Sequence, residues 1–211
     1  MKYKIFILGP QGSGKGTQAE LLSEKLNVPA ISLGQILRDE VNKKSKIGLQ
    51  IEKEMENGEL VANSIVHELA KKRVEQNDCK NGFIFDGFPR SLIQAKFFET
   101  VAEPTHVLEI WISDKEAIRR ISQRRVCKKC GESYHLEYKP PKIAGVCDKC
   151  GGKLEIRDDD TPEGIRHRLK IYHDETQEVL DYYQGKGLLI KINGEQSIEK
   201  VRKELFEKLS L

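Results

Sequence analysis

An excess of charge of either sign is the first thing this sequence lacks: 36 basic residues stand against 33 acidic ones over 211 positions. A chain so balanced has no general positive potential with which to hold nucleic acid or an anionic membrane, so any basic site must be local. Long hydrophobic runs are missing too. The apolar stretch within MKYKIFILGPQG is far too short to span a bilayer and lacks the small-residue cleavage pattern of a secretory signal, so a cytoplasmic location is expected. Neither a low-complexity linker nor a solenoid-like repeat occurs, which at this length argues for one core carrying insertions. Cysteine is scarce and grouped: CKKC at 127–130 and CDKC at 147–150, with Cys79 alone as an ordinary buried thiol.

What is present has a clear rhythm. YKIFIL at 3–8 is a β-favouring apolar run ending in a glycine cluster, after which Ala19, Leu22 and Leu26 recur at helical spacing. FIFD at 83–86 and HVLEIWI at 106–112 are each followed by a helix-like stretch, over 91–102 and 114–125, and LLIKI at 188–192 precedes a last amphipathic helix. Nearly continuous apolar strands alternating with helices predict an α/β fold, its parallel sheet covered on both faces. Two stretches break the pattern: 32–61 reads as two polar helices without a strand, and 126–160 is rich in Cys, Gly, Lys and Pro.

GPQGSGKGT at 9–17 joins the first strand to the first helix with the spacing of a phosphate loop. Glycines at Gly9, Gly12 and Gly14 let backbone N–H groups turn inward around a polyphosphate, the helix start adds partial positive charge, and Lys15 reaches the outer phosphates. The general pattern places Ser or Thr directly after the lysine; here Gly16 intervenes and the hydroxyl is that of Thr17. Asp86 ends an apolar strand, where an acid can organise the waters of a Mg²⁺ ion beside phosphates.

The GKGT form of the loop together with DGFPR at 86–90, GELV at 58–61, RRISQRR at 119–125, YHLEYKPPK at 134–142 and RDDDTPEGIRHR at 157–168 resembles the nucleoside monophosphate kinases, adenylate kinases with a long lid in particular, along essentially the whole chain. The resemblance implies reversible phosphoryl transfer from Mg²⁺-bound ATP to a monophosphate, AMP above the others, giving ADP. It implies a P-loop core of five parallel strands (1–31, 62–125 and 161–211), a monophosphate-binding insert (32–61) and a lid (126–160). By the same resemblance Gly12, Ser13, Gly14, Lys15, Gly16, Thr17, Arg120, Arg124, Ser133, Tyr134 and Gln196 would face ATP. Leu33, Arg38, Glu59, Leu60, Val61, Gly87, Phe88, Pro89, Arg90, Gln94, Arg157 and Arg168 would face the monophosphate, with Lys15, Asp86, Arg90, Arg124, Arg157 and Arg168 serving the transfer. A monomer acting on free nucleotides, without nucleic-acid or membrane partners, is expected.

Arginine suits such work because its planar fork grips two phosphate oxygens at once; taken singly, though, these arginines also read as partners of Asp158, Asp159 and Asp160. The acceptor pocket departs from the family pattern: SLGQILR stands where STGDxxR is usual, so Leu33 replaces threonine and Gln35 replaces aspartate. VANS at 61–64 likewise replaces a proline or threonine followed by aspartate. A kinase for UMP, CMP or GMP therefore stays open as the alternative acceptor class. Cys127, Cys130, Cys147 and Cys150, two knuckles each followed by glycine and separated by a sixteen-residue loop, match a four-thiolate structural Zn²⁺ site. Lysines 128, 129, 139, 142, 149 and 153 keep a second reading in play, a P-loop protein with a nucleic-acid-binding ribbon.

Overall fold

The computed structural model describes residues 3–211, so the first two positions of the stretch assigned to the core lie outside the described residues. The first strand, β1 (Tyr3–Leu8), is buried along its apolar length. Because side chains alternate across a strand, Phe6 and Leu8 join Phe85, Phe88 and Phe98 on one face, while Ile5 and Ile7 join Leu22, Leu108 and Leu205 on the other. This is why the run is continuous in the sequence: both faces are dry.

β1 lies at the centre of a five-stranded parallel sheet. On one side of it are β3 (Gly82–Asp86) and then β2 (Ala30–Ser32); on the other are β4 (His106–Trp111) and then β8 (Leu189–Asn193). The chain thus reverses its winding direction at β1, and in open α/β sheets such a reversal opens a crevice beyond the carboxyl ends of the strands. Into that crevice runs the Gly9–Gly14 loop, which leads to α1 (Lys15–Leu26).

Two excursions flank the crevice. One comprises α2 (Leu33–Asn42) and α3 (Lys46–Glu56), returning to the core through α4 (Asn63–Val74). The other is a small antiparallel sheet in which β5 (Arg124–Cys127) pairs with β6 (Ser133–His135) and β7 (Leu154–Glu155). The remaining helices, α5 (Leu92–Val101), α6 (Asp114–Ser122), α7 (Pro162–Ile171), α8 (Gln177–Gly185) and α9 (Ile198–Lys208), cover the sheet or border the crevice. No helix among the described residues is long and apolar enough to cross a membrane.

Three features differ from the sequence reading. A short strand, β2, precedes α2, and its Ser32 pairs with Asp86, so the helical insert starts at Leu33. The helix expected over 114–125 stops at Ser122, and Arg124 and Arg125 belong to β5, paired with His135 and Tyr134. A wide helical turn over Tyr172–Thr176 joins α7 to α8.

Candidate active site

The phosphate loop has the backbone that its glycines permit. Gly12 and Gly14 adopt φ of +81° and +88°, and a Cβ on Gly9 would sit 2.3 Å from the Ile110 carbonyl oxygen, so neither the turns nor the close approach tolerates a side chain. α1 begins with no side-chain cap and no acid in its first turn. By contrast, α3, α5, α6, α7 and α9 each carry a Ser or Thr hydroxyl that caps a backbone N–H. The uncapped N–H groups of α1 leave the loop free to receive an anion.

Lys15 folds back over the loop, its Nζ donating to the Pro10 carbonyl at 3.3 Å. Burial, reinforced by Arg90, Arg124 and Arg168 and opposed by Asp86, pulls its pKa down to about 8. Asp86 stands opposite Gly16: a Cβ there would lie 3.3 Å from Asp86 Oδ2, so the glycine that displaced the expected hydroxyl makes room for this carboxylate. Asp86 Oδ1 and Ser13 Oγ are buried without a hydrogen-bond partner among the described residues. Orphaned acceptors beside a phosphate loop are what a hydrated divalent cation would satisfy.

A cleft of about 690 Å³ lies between the loop, the α2–α3 insert and the small sheet, and it brings together most of the residues named from the sequence. The expected pairing of arginines with acids is found, but buried rather than solvated. Arg124 forks onto Asp160, which has no exposed side chain, with Nε donating at 2.8 Å. Arg157 grips Asp159 at 2.9 and 2.6 Å, and Arg168 reaches both carboxylates at 2.8 and 2.7 Å. Three guanidinium groups thus share two carboxylates, leaving net positive charge aimed at the cleft. The Arg90 guanidinium donates to the Gly87 carbonyl, at 2.9 Å. Arg38 donates to Gln35 Oε1 at 3.2 and 3.0 Å, and its pKa is lowered by burial and by Arg157.

Leu33, Glu59, Leu60, Val61, Gly87 and Gln94 line the acceptor end of the cleft. Gln94 is 2% exposed; its Oε1 accepts from the Arg90 backbone N–H at 2.9 Å and its Nε2 donates to Asn63 Oδ1 at 3.0 Å. The Phe88 ring is fully buried against Phe85 and Phe98 in the core, and Pro89 is buried beside it, so neither side chain lines the cleft. A local motif does not reveal which of its side chains face inward, and here FP anchors the loop while Gly87 and Arg90 face the cleft.

At the other end, Arg120 lines the cleft beside Tyr138, its guanidinium 5.3 Å from that ring and donating to Glu116 and to the Gly194 carbonyl. Ser133 is exposed on the cleft wall, whereas Tyr134 is buried and its hydroxyl serves Cys147 Sγ and the Asp148 N–H. The Gln196 amide is spent on Asn193 and Glu204. Tyr138 was missed by the sequence reading; its place four residues after Tyr134 in YHLEYKPPK gave no separate signal.

Cys127, Cys130, Cys147 and Cys150 converge, all four sulfurs within 4.8 Å of one another. Both knuckles close the same way: the Gly131 N–H donates to Cys127 and the Gly151 N–H to Cys147, each at 2.9 Å, with φ of +74° and +70° at the glycines. Four thiolates in this arrangement fit a tetrahedral Zn²⁺ with no coordination position left for substrate. His135 is not a ligand candidate, since its Nδ1 accepts from the Glu137 and Tyr138 N–H groups. Among the nearby lysines, Lys128 and Lys153 share Glu155, and Lys139 and Lys149 share Glu132.

A phosphate loop at the winding reversal of a parallel sheet, opening on a cleft walled by cations from separate excursions, defines a P-loop phosphotransferase. The family model described as adenylate kinase matches residues 7–188. Adenylate kinases of Caldicellulosiruptor bescii, at 43% identity over 99% of each chain, and of Methanocella arvoryzae, at 46% over 94% of each, are similar to it. That of Archaeoglobus fulgidus is 43% identical over 95% of each chain. The chain belongs to the adenylate kinase family and is a nucleoside monophosphate kinase.

Proposed function

We propose that this protein catalyses ATP + AMP = 2 ADP, with 32–61 as the monophosphate-binding insert and 126–160 as a lid on the core. The observation that carries the reading is the convergence of Lys15, Arg38, Arg90, Arg124, Arg157 and Arg168 from distant stretches onto one cleft. Phosphoryl transfer asks for little covalent chemistry; it needs donor and acceptor in line, charge on the transferred oxygens neutralised, and water kept out. Lys15 and the loop N–H groups would hold the donor's outer phosphates. Arg38 and Arg90 would hold the acceptor's phosphate, and Arg124, Arg157 and Arg168 would meet the transferred group between them. Asp159 and Asp160 hold those last three within reach and relieve their mutual repulsion, so a phosphate finds the forks already aimed.

Asp86 and Thr17 are suited to hold the hydrated Mg²⁺ that accompanies ATP, which supplies charge neutralisation at the phosphates. The four cysteines are suited to hold Zn²⁺ as a fastener of the lid. The protein would act as a cytoplasmic monomer on free nucleotides.

The test is direct. Incubation of ATP and Mg²⁺ with AMP, GMP, CMP or UMP in turn should give diphosphate fastest with AMP. A preference for UMP or CMP would move the acceptor assignment while keeping the mechanism.

A further inference from the structure

We infer that Asn63 is a specificity-determining residue, the second of two ties that hold Gln94 in one hydrogen-bonding pattern toward the acceptor base. The inference deepens, and rests on, the reading of this cleft as an AMP site. Gln94 is 2% exposed in the first turn of α5, on the same wall as Leu33, Val61 and Val66. A carboxamide has nearly the same shape after a half-turn about its last bond, but donor and acceptor change places. Burial alone therefore does not choose between the two.

Here two ties hold the choice, one from the backbone and one from Asn63. The Arg90 N–H can only donate, so the Gln94 atom 2.9 Å from it is the acceptor Oε1. Nε2 is then the atom that faces Asn63, and Asn63 must answer with its own acceptor, Oδ1, at 3.0 Å. Ser91 Oγ also approaches that oxygen, at 3.5 Å. The chain Arg90 N–H to Gln94 to Asn63 leaves Gln94 with one N–H and one oxygen lone pair at fixed positions.

Adenine's outer edge has an acceptor ring nitrogen, N1, beside a donor amino group; hypoxanthine and guanine reverse this, with a donor N1–H beside an acceptor O6. A carboxamide held in one orientation complements one edge and opposes the other, whereas one free to rotate serves both. With AMP as the acceptor, the lock is set for adenine. Asn63 stands where the resembling kinases more often have aspartate. Both side chains offer an acceptor oxygen, so the substitution keeps the lock while removing a negative charge beside the base pocket.

Asn63 is half-buried at the first position of α4, so its replacement leaves the core intact. The experiment compares kcat/KM for AMP and IMP, with ATP as donor, in the unaltered protein and in Asn63→Leu, Asn63→Ala and Asn63→Asp. Leu and Ala remove the acceptor; the preference for AMP over IMP should fall on the order of tenfold, the discrimination one good paired contact supplies. The change should appear in the acceptor's KM rather than in kcat, because the base contact is made equally before and during transfer. Asn63→Asp should keep the preference. An unaltered protein selective for AMP whose Leu and Ala variants discriminate as before overturns the lock alone. An unaltered protein that phosphorylates UMP or CMP and not AMP overturns the parent reading, and the inference with it.

Discussion

Lys15 sits where the cost of gathering like charges is felt most directly. Protein groups alone hold its pKa at about 8, because burial and three arginines outweigh Asp86. A bound polyphosphate adds negative charge next to Nζ and must raise that pKa, so binding and protonation are linked. The sign follows: below pH 7 the lysine is already charged and binding takes up no proton through it. As pH rises through about 8 its neutral fraction grows, each binding event must recruit a proton, and affinity falls. Calorimetric titration with ATP at pH 7 and pH 9, in buffers of different ionisation enthalpy, should show proton uptake only at the higher pH. Lys15→Arg, whose guanidinium does not titrate in this range, should abolish the uptake. Equal affinity and no uptake at pH 9 would mean that Asp86 holds the lysine fully charged.

Among the elements, the small sheet depends most on something other than its own packing. Its strands are two to four residues long, and its buried cluster consists of Cys127, Tyr134, Cys147 and Leu154 with Cys150 against it. So little apolar surface cannot offset the entropy of ordering the segment, and metal binding is then folding free energy. Cys127→Ser or Cys150→Ser should therefore lower Tm by at least about 5 °C, given roughly 2–4 °C per kcal/mol for a chain of this size. Turnover should survive at low temperature; prompt loss of chemistry in a protein still folded would give the metal a catalytic part. The same sheet marks how far sequence reaches. β1, β3, β4 and β8 were legible because their apolar runs are buried on both faces, and the phosphate loop because its glycines have no substitute. β2 was not, since three residues make no period, and β5 was not, since RRVC carries its register in the knuckle turns rather than in alternation. At the site, the arginines were legible from motif positions. The Arg124–Asp160 pair, the Asn63–Gln94 bond and the Arg120–Tyr138 contact arise only when separate segments meet.

For the molecule as a whole, the telling contacts are those across the cleft. A Cβ on Gly131, in the first cysteine knuckle, would lie 2.9 Å from three terminal atoms of the Gln35 side chain in α2, and one on Gly58 would lie 3.0 Å from Arg168 Cγ. The first cysteine knuckle therefore reaches α2 across the cleft. Gln35 is also the group that holds Arg38 through two hydrogen bonds, with its own amide on Asp39 at 2.8 Å. The departure from the family's aspartate thus places a neutral side chain between the first cysteine knuckle and Arg38. Closure of the proposed lid would press Gly131 onto the carboxamide that holds Arg38, and so would couple the two sides of the cleft through a contact that carries no charge. Gly131→Ala should oppose closure by overpacking, worth about 1–3 kcal/mol, and so reduce kcat/KM roughly tenfold. That variant also strains a backbone at φ +74°, and Gln35→Ala by itself loosens Arg38. A double-mutant cycle separates these effects, because strain and loosening each appear in both backgrounds and cancel. Gly131→Ala should be markedly less harmful when residue 35 is already alanine, and kcat/KM should show no added salt dependence from the contact. Strict additivity of the two substitutions would place the knuckle and the clamp on independent paths.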